Sequence, residues 1–194
     1  MFFSLINRRI SNIKASLVYS QLMAVLSKSK ILGLLRSGKL KIMPFDEKQV
    51  GAGSIDLHLG NTFRVFRDLH TIFSINDEAD YRKITRVIKV LDGRKLIISS
   101  GQLIHGITVE NISLPKGISG RIEGRSRFAR VGLLTHLSSG FVQPATHGKI
   151  VLEIANLSPL RLAIYPGTTI CQLILEETKG NGEYSGRFYE QNEP

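Results

Sequence analysis

From residue 27 onward the apolar positions fall into short runs that mostly keep the two-residue period of strands, with Gly and Pro turns between them. The pattern predicts strands over Ser54–Leu59, Thr62–Phe66, Ile84–Val90, Lys95–Ser99, Leu103–Val109 and Ile118–Ile122. Four more follow over Leu133–Leu137, Lys149–Ala155, Leu160–Ile164 and Thr169–Leu175. Asp92-Gly93, Ser100-Gly101, Pro115-Lys116-Gly117 and Pro166-Gly167 supply the turn chemistry. One helix interrupts this series near the start. Ser27 or Ser29 is placed to cap it, Ile31, Leu34 and Leu35 share a face, and Gly38 stops it. Many short punctuated strands predict a mainly β sandwich or jelly roll.

Residues 1–22 keep a different period. Ile6, Ile10, Ile13 and Leu17 recur at helical spacing among Arg8, Arg9, Lys14 and several serines. A transit peptide or a membrane-surface helix shares that composition. The simpler expectation is a basic extension ahead of one functional domain spanning 23–194, since Met23 stands just before the first domain-like element.

Composition changes the picture in two places. The net charge of +10 suggests nucleic acid until it is located. Eight of the 26 basic residues and none of the 16 acids fall in residues 1–45, so the rest of the chain is nearly balanced. No broad basic face is implied, and neither a nucleic-acid nor a membrane partner is expected. The lone cysteine, Cys171, cannot form an intrachain disulfide, which fits a reducing, cytoplasmic setting. It lies inside an apolar strand pattern, where a buried structural thiol is expected rather than a nucleophile.

Several chemistries are excluded. A zinc deaminase needs a Pro-Cys-x-x-Cys pair, and His58, His70, His105, His136 and His147 show no helix-borne pairing for zinc. Phosphate-loop and Gly-x-Ser-x-Gly motifs are missing. Glu123 to Leu133 is richer: its arginines, serine and glycines suit a polyphosphate, though an arginine-rich surface turn would look the same. In the strand around residue 152, alternation puts Ile150, Leu152 and Ile154 on one face and Glu153 on the other. Burial there would raise the Glu153 pKa toward the range of a general acid–base group, unless a structural arginine pairs it.

Together these residues resemble the dCTP deaminases of the trimeric dUTPase-like superfamily. The likeness runs from about Ser27 to Gln191. It is carried by Gly53-Ser54-Ile55-Asp56-Leu57-His58-Leu59-Gly60-Asn61, Thr108-Val109-Glu110, Gly124-Arg125-Ser126, Ala129 to Leu133, Glu153, Pro166-Gly167 and Gln172-Leu173. The resemblance implies a dUTPase-like β-barrel or jelly roll with a short N-terminal helix. It also implies a homotrimer with sites between subunits, and deamination of dCTP to dUTP and ammonia in deoxynucleotide biosynthesis without zinc. Glu153 would activate the water, with Ser126 and Arg130 holding water and glutamate. Arg125 would bind phosphate, as would Arg127 where the family has a serine. Backbone groups near Ser138 and Ser139 would read the base. Gln172 falls in a matching motif and is a substrate-binding candidate. Tyr184, Arg187 and Gln191 belong to a closing tail over the triphosphate. Magnesium would arrive with the nucleotide, and dTTP is the implied feedback inhibitor, acting around His136. One stretch departs: Gln143-Pro144-Ala145-Thr146 stands where the family has Asp-Pro-Gly-aromatic. An amide can bond a sugar hydroxyl but cannot act as a base, which argues against splitting of the triphosphate. A non-catalytic nucleotide-binding homologue and a dUTP diphosphatase remain the alternatives.

Overall fold

The computed structural model describes residues 24–68, 70–180, 182–186 and 189–194. The basic extension, Met23 and Arg187 lie outside the described residues. A helix α1 (Lys28–Arg36) leads into twelve strands: β1 (Lys41–Met43), β2 (Ile55–His58), β3 (Thr62–Phe66), β4 (Thr85–Lys89), β5 (Leu96–Ile98) and β6 (Leu103–Ser113), then β7 (Ile118–Gly124), β8 (Leu133–Thr135), β9 (Phe141–Val142), β10 (His147–Asn156), β11 (Leu162–Ile164) and β12 (Thr169–Glu177). A single helical turn, α2 (Ser126–Ala129), follows β7. The sheets are antiparallel, as hairpin-linked strands allow. One runs β4-β3-β6-β10-β8 with β1 also on β6, one runs β2-β12-β7-β9, and β5 pairs β11.

All ten sequence-predicted strands are present, and two short ones were not expected. β1 has three residues before Pro44, and β9 has two residues beside a loop, too few to show a period. Ser27 is the N-cap of α1, but its hydroxyl contacts Ser29 Oγ (3.1 Å) rather than the first-turn amides. Gly38 stops the helix at φ +69°, with its N–H on the Leu35 carbonyl.

The inward faces meet in one core. Ile150, Leu152 and Ile154 of β10 are buried in alternation, with Leu57 of β2 and Leu173 and Leu175 of β12 in the same cluster. Leu152 is fully buried, so truncation to alanine should cost about 2–5 kcal/mol. Packing is close enough that Gly106 of β6 has no room for a side chain: a Cβ there would lie 2.9 Å from Ile154 Cδ1. Among the described residues, no helix is long and apolar enough to cross a bilayer.

Candidate active site

β10 sets the site. Because Leu152 and Ile154 face the core, Glu153 points to the opposite side, into a cavity of about 450 Å³. β8 pairs with β10 at Thr135–Ile154, and the chain leaving β8 turns back at once. His136 takes the turn at φ +60°, a conformation rare for a residue with a side chain. Its N–H bonds the Glu153 carbonyl at 2.7 Å, while its ring, with a side chain only 6% exposed, places Nδ1 3.0 Å from Glu153 Oε2. Nε2 meets the Ser139 carbonyl at 2.9 Å. Both ring nitrogens therefore face oxygens, one of the Glu153 carboxyl and one of the Ser139 backbone. Ser139 Oγ donates to the two carboxylate oxygens at 2.9 and 3.1 Å. Hydrogen bonds to a charged group contribute about 1.5–3 kcal/mol each.

These contacts reverse the sequence expectation for Glu153. Burial is the largest single influence and pushes its pKa up, but His136, Ser139 and the backbone together outweigh it. The carboxyl is held below its ordinary range and is ionised at neutral pH. No arginine pairs with it among the described residues.

Across the sheet, His105 of β6 is the register partner of Glu153, and Arg64 of β3 is the next in the row. The His105 ring is clamped edge-on by Tyr81 (5.3 Å between centroids, 88°) and Phe66 (5.9 Å, 64°). Its Nδ1 is buried with no hydrogen-bond partner among the described residues, which costs about 1–3 kcal/mol. Burial holds the ring's pKa below its usual value, Glu153 opposes that shift, and Arg64 adds to it. His105 is thus neutral at pH 7.

The C-terminal segment closes one side of the cavity. Tyr184, Gln191 and the exposed Gln143 line it. Gln191 bridges Gly148 in parallel and its carbonyl accepts from Lys149 N–H at 2.8 Å. Gly148 must be glycine here: φ is +126°, and a Cβ would lie 2.8 Å from the Gln191 nitrogen.

The other expected site residues lie elsewhere in the chain. Ser126, Arg127 and Arg130 are exposed on and just after α2, and none of them lines the cavity. Arg125 pairs with Asp56 of β2, and Gln172 accepts from Ser54 Oγ at 3.0 Å on the adjoining strand β12. Ser138 is exposed and off the cavity wall, whereas Ser139 meets Glu153 through its hydroxyl rather than its backbone. The expected site residues therefore fall into two separate groups, one around Glu153 and one around α2. His105 and Tyr81 were missed as site residues. His105 had a readable signal: a polar residue at an alternate position of an apolar strand. Tyr81 had none, because a long loop delivers it. Cys171 is buried and its thiol is pushed up by burial. Among the described residues, no three or more His, Cys, Asp or Glu side chains are gathered to hold a metal.

Comparison with known proteins defines the class first. The fold matches that of the crystal structure of the 2′-deoxycytidine 5′-triphosphate deaminase from Agrobacterium tumefaciens, with a TM-score of 0.63 over 80% of this chain at 18% identity. The matched part covers 49% of that longer chain. A dCTP deaminase-like family model matches residues 25–178, so the chain belongs to the dCTP deaminase-like family. Among relatives, a dCTP deaminase of Thermomicrobium roseum is 40% identical over 79% of each chain. A "dCTP deaminase, dUMP-forming" of Corynebacterium jeikeium is 35% identical over 88% of this chain and 94% of its own.

Proposed function

We propose that this chain hydrolytically deaminates dCTP at C4 of the cytosine, releasing ammonia and dUTP. The observation that carries this reading is an ionised Glu153, fixed by His136 and Ser139, at the wall of a cavity wide enough for a nucleoside. A carboxylate of that kind takes a proton from water as the oxygen adds to C4. Its partners hold it in place before substrate binds, and a preorganised site gains much of its rate in that way.

The group around α2 completes the site from a second copy. Ser126 and Arg130 would approach Glu153, and Arg125 and Arg127 the phosphates, across the interface of a homotrimer. Separation of the two groups within one chain supports this reading. Magnesium enters with the triphosphate as part of the substrate, needs no ligand set of its own, and leaves with it. Tyr184, Gln191 and Arg187 cover the nucleotide, and dTTP is the candidate inhibitor.

A second reading, release of dUMP, is favoured by the names of several relatives at 33–35% identity. The Gln143 amide argues against it, because splitting the triphosphate needs a base that this position no longer supplies. Incubation with dCTP, CTP, dCMP and dUTP, with ammonia and pyrophosphate assayed separately, decides between them. Ammonia from dCTP without pyrophosphate is expected. Pyrophosphate appearing in step with ammonia would establish the dUMP-forming reaction. Binding without either product would leave a nucleotide-binding homologue. A zinc chelator with magnesium resupplied should leave ammonia release intact.

A further inference from the structure

Hydrolysis at C4 moves two protons, both from the water. One ends on N3 of the pyrimidine ring, the other on the amine that leaves as ammonia. Glu153 is one carrier, and its oxygens already face Ser139 and His136. A single carboxylate can carry both in turn; a second carrier within reach of the same carbon, with a charge free to change, would divide the work.

We propose that His105 is this second proton carrier of the deamination site. The inference rests on the deaminase reading above. His105 is the direct cross-strand partner of Glu153, so both side chains leave the same face of the sheet, with Cβ atoms about 5 Å apart. Both line the one cavity. The Tyr81 and Phe66 edges fix the ring, so little conformational freedom is lost when substrate arrives.

The ring is also in the required state. Three groups face it from the elements packed against it: Glu153 from β10, Arg64 from β3, and the Tyr81 phenol from the 3-10 turn Tyr81–Lys83. Burial and Arg64 favour the neutral ring and Glu153 opposes them. A neutral imidazole has one bare nitrogen and one N–H, so it accepts and then gives a proton without net change. A histidine kept for shape alone would gain nothing from an orphaned buried nitrogen that an apolar side chain of similar size would not have.

The steps balance. Water oxygen bonds C4 as Glu153 takes its first proton and passes it to N3. The hydroxyl now on C4 gives its proton to Nε2 of His105, since Nδ1 is buried away from the cavity. As the C4–N bond breaks and its electron pair stays on nitrogen, the imidazolium returns a proton to the departing amine. C4=O forms, and both side chains end as they began.

The test compares the unsubstituted protein with His105→Gln and His105→Leu, following ammonia release from dCTP against pH. His105→Gln should lower kcat by about a hundredfold, the lower end of general acid–base effects, with KM within about twofold. In the unsubstituted protein kcat should fall on the acid side as His105 protonates below the usual histidine range. That limb should be missing in His105→Gln. His105→Leu should melt no lower than the unsubstituted protein and still bind dCTP, which separates proton transfer from folding. Retention of kcat and of the acid limb in both variants overturns the proposal. So does a loss confined to KM, since that would leave His105 only a wall of the cavity. Absence of ammonia from the unsubstituted protein would overturn the deaminase reading itself.

Discussion

In the proposed reaction Glu153 is the residue on which the chemistry turns, and its environment makes opposite demands on it. Burial favours the neutral acid, while His136 and Ser139 favour the carboxylate and win. Replacing it with Gln keeps the shape and removes the base, so turnover should fall at least about a hundredfold. Near-normal ammonia release by that variant would end the assignment. Ser139→Ala removes one donor from the charged form, so a ¹³C-NMR titration should find the Glu153 carboxyl raised towards the ordinary value. A carboxyl depressed in the folded state contributes stability that is present above its unfolded pKa and lost as pH falls through the folded value. Ser139→Ala should therefore lose that contribution at higher pH than the unsubstituted protein. Gln143 allows a third expectation. A carboxylate accepts a sugar hydroxyl more strongly than an amide does, so Gln143→Asp should lower KM for dCTP about fivefold, or about 1 kcal/mol. An unchanged KM would mean the amide is the fitted ligand. At this scale Glu153 was legible because alternation alone singles it out. The direction of its pKa was not, because the groups that decide it arrive through a left-handed turn at His136 and a loop at Ser139.

At the level of elements, β10 was readable along almost its whole length, since Ile150, Leu152 and Ile154 leave no doubt about the inward face. β6 was predicted to stop at Val109, yet continues to Ser113. Glu110 broke the apolar pattern, but it is buried and paired: His58 Nδ1 lies 2.6 Å from its Oε1, and the His58 N–H and Gln49 Nε2 donate to it. A buried carboxylate with three partners is tolerated where a lone one is not, and no local pattern shows partners that come from 52 and 61 positions away. The contact between β10 and the C-terminal segment gives a prediction. Gly148→Ala places a methyl against the Gln191 backbone and strains φ as well. It should displace the segment, so that limited proteolysis clips the C-terminal residues faster and KM for dCTP rises several-fold, with the Glu153 chemistry left in place. Unchanged protease sensitivity would show that the segment is held elsewhere.

For the whole molecule, the question is what one chain lacks. Glu153 and the α2 arginines do not meet within it, so an assembly with composite sites predicts complementation. Unfolding and refolding Glu153→Gln together with Arg130→Ala, each inactive, should restore about a quarter of the sites if copies mix at random in a closed ring. No recovery would place the full site within one chain. The composition already limited the molecule to a nearly neutral body with a basic N-terminal segment, and a truncated chain beginning at Met23 should assemble and turn over like the full one. The proposed assembly was not legible from pattern or charge, because exposed residues such as Arg127 and Arg130 look like any solvated surface. Cys171 offers a view of the same molecule that needs no turnover at all. It is the one thiol of the chain, it is fully buried on β12 between β2 and β7, and its reactivity is suppressed further by burial of the thiolate. A maleimide can reach it only when those strands part, so its labelling rate is a clock of how often the barrel opens. Bound nucleotide closes the molecule by mass action, and dCTP at about 100 times its Kd should slow that clock about a hundredfold.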